Sequence, residues 1–115
     1  MNAQLTQQLQ TGEISKTINP EKQGRHFVNH ENYIKGRSYL FGWVNPQELV
    51  DKYCGLGNFR IDSNGDWDKK EYISVGKPIG MTLDKKTGFA TQTDRIAIHY
   101  SKTGPHIVPV ERRTP

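Results

Sequence analysis

The spacing of apolar residues divides the chain into two parts. Up to Gly55 they recur at helical or irregular intervals; from Asn58 onward they alternate, as half-buried strands require. In "VNPQELVDKYCGLG", Leu49, Val50 and Tyr53 make one apolar face. Asn45 is placed to cap the helix, Pro46 suits its first position, Glu48 completes a capping box and Gly55 stops the run. "NPEKQG" has the same Asn-Pro start but soon meets Gly24, so one or two turns are predicted over 20–24. Residues 1–17 carry Leu5, Leu9 and Ile14 at loose helical spacing among Gln, Thr and Ser. They read as a short helix or the end of a linker, peripheral to the core. "HFVNHENYIKGRSYLFGWV", broken by Gly36 and Gly42, reads as a loop and an irregular extended segment.

The second part is a run of strands and turns. "NFRID" precedes the turn "SNGD", and "EYISV" alternates until Gly76–Pro78 interrupt it. "IGMTLD" passes through "KKTG" into "FATQT", and "RIAIHYS" and "PHIVPV" follow. Helices first and strands afterwards imply an α+β fold, with short N-terminal helices packed on one face of a curled antiparallel sheet of about four to five strands. A domain over 18–111 is expected, with 112–115 as a polar tail.

Composition adjusts this picture modestly. At 115 residues with 33% hydrophobic content, one domain with a small core is expected. Sixteen Lys and Arg against twelve Asp and Glu give a net charge of +4, which favours a polyanionic partner such as nucleic acid. The single cysteine, Cys54, excludes an intrachain disulfide and a cysteine-based zinc site, and its setting is that of a buried small hydrophobe. No run approaches the length of a membrane span, and the N-terminus shows no hydrophobic signal-peptide core.

Candidate chemistry concentrates in two places. On "RIAIHYS" strand alternation puts Ile96, Ile98 and Tyr100 on one face, and Arg95, Ala97, His99 and Ser101 on the other. The chain's four histidines fall in two stretches, His26 with His30 and His99 with His106. Their spacings on non-helical backbone, without matching Asp or Glu, do not point to a metal. Lys22, Arg25, Lys35 and Arg37 surround the first pair; Ser101, Lys102 and Thr103 accompany the second. Histidines able to exchange protons near neutrality, with cations and hydroxyls beside them, suit cleavage of RNA by its own 2′-hydroxyl. That reaction needs no cofactor or metal, because the nucleophile belongs to the substrate. No P-loop, dinucleotide fingerprint or nucleophile elbow is present, and "DSNGDWDKKE" lacks the spacing of a calcium loop.

Three ordered blocks, "NPEKQGRHFVNHENYIKGRSYL", "NPQELVDKY" and "IHYSKTGPHIVP", together resemble the type 50 domain of bacterial polymorphic toxins. The resemblance runs from about residue 18 to 110. It implies the Barnase–EndoU–colicin–RelE class of metal-independent RNases, whose fold sets one or two helices before a curled antiparallel sheet with the active site on its exposed face. It further implies an endoribonuclease that leaves a 2′,3′-cyclic phosphate. Such a domain ends a larger secreted or phage-borne protein, acts in the bacterial cytoplasm and is neutralised by an immunity protein. "QTGEISKTI" is similar to the connector that precedes such domains.

Carried over by motif, His26, Arg37, His99, Ser101, Thr103 and His106 are the implied catalytic set. Lys22, Lys35, Arg95 and Lys102 are expected to bind substrate. Relatives carry a Gly two or three residues after the first-block histidine, where this chain has Val28 and Asn29, so the role of His30 stays open. RNA is the expected partner, with tRNA, rRNA and mRNA all candidates, and a monomer is expected when free. Two rivals use the same residues: a nucleic-acid-binding module without catalysis, and a structural or interaction domain of a phage particle.

Overall fold

The computed structural model describes residues 2–112; Met1 and residues 113–115 of the expected tail lie outside the described residues. The fold is α+β, with three short helices and two antiparallel sheets among the described residues. Helix α1 spans Ala3–Thr11, α2 Pro20–Gly24 and α3 Pro46–Tyr53. Each begins as its sequence requires: the side chains of Asn2, Asn19 and Asn45 accept hydrogen bonds from the amides of Leu5, Lys22 and Glu48. Pro20 and Pro46 occupy the first turns, and Cys54 and the left-handed Gly55 (φ 88°) follow the end of α3.

The strands are β1 (Tyr39–Leu40), β2 (Asn58–Ile61), β3 (Trp67–Ser74), β4 (Gly80–Leu83), β5 (Ala90–Thr93), β6 (Arg95–His99) and β7 (His106–Val110). The alternating runs expected to share a single sheet divide between two. One has the order β2-β3-β6-β7, the other β1-β4-β5. The chain changes sheets at Thr93–Asp94: the Thr93 carbonyl accepts from Ile79 beside β4, while the Asp94 carbonyl accepts from Val75 beyond β3. The Thr93 hydroxyl donates to the Val110 carbonyl and ties the crossing to β7. A pattern of period two marks strands but carries nothing about which strand pairs with which.

The core lies on one face of the four-stranded sheet, where Ile73, Ile96, Ile98 and Ile107 meet Leu5, Ile14, Leu40 and Val50. Residues 1–17, read as peripheral, prove otherwise in this respect: Leu5 and Ile14 are 0% and 2% exposed within that core. The side chain of Gln4 also bonds the Trp67 amide and the Gly65 carbonyl, docking α1 against the β2–β3 hairpin. The Ser15 amide donates to the Ser101 carbonyl and the Asn19 amide to the Pro105 carbonyl. The N-terminal segment therefore braces the turn between β6 and β7. Its apolar residues were too few and too loosely spaced to reveal this.

Candidate functional site

Strand register assembles the site on the sheet face away from the core. In β6, Ile96 and Ile98 are buried inward, while Arg95 and His99 are half-buried on the outer face. Ala97 lies between them opposite both Tyr72 and Val108, and is wholly buried. The outer face of this strand is thus closed at its middle and open at its ends. His99 pairs with Lys70 on β3 and with His106 on β7. Next to Lys70, Lys69 holds a left-handed backbone (φ 65°), a strained conformation for a residue with a Cβ. Its carbonyl receives the Tyr100 amide at 2.8 Å, which fixes the end of β6.

His26 reaches the same place from the helical half of the chain. The Gln23 side chain bonds both the amide and the carbonyl of Ile107, at 2.6 and 2.9 Å, and so clamps α2 to β7. His26, just after α2, consequently stacks on His106 with ring centroids 5.8 Å apart and an interplanar angle of 12°. His106 in turn meets His99 edge-on at 4.9 Å. Three of the four histidines form one cluster. His30 does not join it: exposed, its ring packs over Gly24 and its Nδ1 accepts the Asn32 amide. It organises the loop after α2.

Burial and charge set the protonation of the cluster. Burial pushes His99 down to about 4; Lys70 and His26 add to the shift and Asp68 opposes it. Burial likewise lowers His106 to about 4, helped by His99, His26, Lys22 and Arg25. His26 is lowered by burial, against its bond to Ser38, with Arg37 and Arg25 adding repulsion. At neutral pH the free cluster is uncharged. The His26 Nδ1 lies 2.9 Å from the Ser38 carbonyl, which can only accept, so Nδ1 carries the proton. Its Nε2 is left with a lone pair, as a proton acceptor needs.

Beside the histidines is a small polar cradle. Lys22 donates to Thr103 Oγ1 at 3.1 Å and to Ser101 Oγ at 3.4 Å, and Ser101 donates to the Gly104 carbonyl at 2.8 Å. Gly104 has a φ of 112°, and a Cβ there would lie 2.3 Å from the Thr17 carbonyl oxygen, so this turn admits no side chain. Arg37 is exposed and lines a cleft of about 650 Å³ together with His26, Arg60, Tyr72 and Arg95. Lys35 and Lys102 are exposed on loops and, among the described residues, make no hydrogen bond to this cluster.

Of the ten expected site residues, eight are therefore brought to the cluster, its cradle or the cleft. Lys70, Arg60, Tyr72 and the clamp Gln23 were missed. Alternation in "KKEYISV" hinted that Lys70 and Tyr72 share a face, but only register sets them beside His99 and Ala97. Among the described residues no group of three or more His, Cys, Asp and Glu is arranged to hold a metal ion, and no helix is long and apolar enough to cross a membrane.

Comparison with known proteins agrees with the three-block resemblance. No curated protein matches the sequence. The family model described as bacterial toxin 50 matches residues 18–109. That match takes in both halves of the histidine cluster, from Lys22 and His26 to His99 and His106, and the chain belongs to the bacterial toxin 50 family.

Proposed function

We propose that this toxin domain is an endoribonuclease that cleaves RNA by transesterification. The observation that carries the reading is the stack of His26 on His106 beside His99, at the edge of a cationic cleft. An imidazole lone pair takes the proton from the 2′-hydroxyl, and the 2′-oxygen attacks phosphorus. The bond to the 5′-oxygen breaks as that oxygen receives a proton from an imidazolium. The products are a 2′,3′-cyclic phosphate and a free 5′-hydroxyl.

His26, with its tautomer set by Ser38, is suited to the base role, and His106 or His99 to the acid role. Neither acid candidate carries the second proton of an imidazolium at neutral pH in the free protein. A bound phosphate supplies the negative charge that raises their affinity for one, so the acid is charged when substrate arrives. In this reading Arg37, Lys22, Ser101 and Thr103 stabilise the charge that builds on the phosphorane. With the family comes the expectation of an effector carried by a larger secreted or phage-borne protein, acting in a bacterial cytoplasm and restrained by an immunity protein.

The test is incubation of the purified protein with total RNA in EDTA. Discrete fragments ending in cyclic phosphate support the proposal; RNA that is bound but intact supports the non-catalytic module instead. Replacing His26 with Ala lowers the cleavage rate by about 10²–10⁴-fold and relieves growth inhibition, while circular dichroism shows the fold retained. Undiminished cleavage by that variant would overturn the assignment.

A further inference from the structure

The part of the cleft away from the histidines has its own construction. Arg60 on β2 and Arg95 on β6 both lie over the Tyr72 ring, with guanidinium carbons 4.5 and 4.8 Å from its centroid. Tyr72 stands on β3, the strand between those two, and its electron-rich ring attracts each guanidinium. Arg95 also donates to the Glu111 carbonyl at 3.4 Å, so its position is set from two sides. A guanidinium held by its face offers donors along its edge, the geometry that receives a phosphate. Lys85 on the cleft wall adds to the field, while Arg112 there is paired with Asp94 at 3.4 Å and Glu111 also lines the wall.

Position on the strand gives this group its meaning. Arg95 and His99 share one face of β6 four residues apart, about 13 Å along a strand. A single nucleic-acid strand laid along the cleft can place one phosphate at the histidines and another, a few nucleotides away, at the arginines. We infer that Arg60, Tyr72 and Arg95 form a second phosphate subsite, which holds the backbone of single-stranded RNA away from the bond that is cut. The identity of the polyanion rests on the ribonuclease reading; the subsite itself rests on the stacked arginines. Its consequence is a preference for longer strands over a dinucleotide.

The experiment measures binding of a hexanucleotide and a dinucleotide, both carrying 2′-fluoro groups so that neither supplies a nucleophile, across a range of salt. The wild-type protein binds the hexanucleotide more tightly and with the steeper salt dependence. Arg60→Gln and Arg95→Gln each reduce the hexanucleotide's advantage by about tenfold and its salt slope by about one. Arg60→Lys, which keeps the charge but not the planar fork, recovers part of the advantage. No hexanucleotide preference in the wild type, or an equal loss on both ligands in the variants, would overturn the subsite. Failure of the ribonuclease reading shows separately, as an unmodified hexanucleotide left intact while the arginine-dependent preference persists.

Discussion

A histidine becomes useful through its surroundings, and the four in this chain demonstrate the point. His26, His99 and His106 are drawn out of water and against one another, whereas His30 is exposed and supports a loop. Free imidazoles in the cluster should therefore titrate below the ordinary value near 6.5, His99 and His106 near 4. NMR titration of the ring resonances checks this, and titration at or above 6.5 in the free protein would contradict it. Addition of a nucleoside 3′-monophosphate should move at least one of the three upward. The sign of the linked stability follows: the unfolded chain takes up protons that the folded cluster refuses. Stability is retained above pH 6.5 and declines as the pH falls from there through about 4. The sequence disclosed the imidazoles and their cationic neighbours, but not which histidine would be left out, because burial is not a local property.

At the scale of elements, a five-residue helix carries a large share of the site's geometry. So short a helix is not stable alone. It is held by its Asn19 cap and by the Gln23 side chain, which completes the hydrogen bonding of Ile107. Gln23→Ala leaves a buried amide and a buried carbonyl of β7 without these partners, and should cost about 1–3 kcal/mol in a denaturant titration. Because the clamp also sets His26 on His106, activity should fall further than the lost stability accounts for under conditions where the variant is fully folded. Full activity in a folded Gln23→Ala protein would show that the clamp does not position the histidines. The caps and turns of these elements were legible from Asn, Pro and Gly alone. The clamp was not, since a glutamine one residue from a helix end carries no mark of its partner.

The whole molecule joins a helical N-terminal half to a sheet-forming C-terminal half, and the site lies where they meet. That junction depends on the first seventeen residues more than their composition suggests. Leu5 and Ile14 enter the core, and backbone bonds from Ser15 and Asn19 fasten the turn that carries Ser101 and Thr103. Leu5→Ala should destabilise the protein by about 2–5 kcal/mol, read as a lower denaturant midpoint. A loss below 1 kcal/mol would return this segment to the periphery.

By itself the sequence determined the local and the chemical: capped helices, alternating strands, four histidines gathered in two stretches and a surplus of cations around them. Caps, turns and periodicity act within a few residues, so each is written where it operates. It was the tertiary structure that separated one expected sheet into two, buried Leu5 and Ile14 of the N-terminal segment and set Lys70, Arg60 and Tyr72 on the working face. These outcomes depend on register and on contacts between distant residues, such as Gln23 with Ile107 across 84 positions. Such pairings are chosen by the packing of the whole core, and no short stretch of sequence contains them.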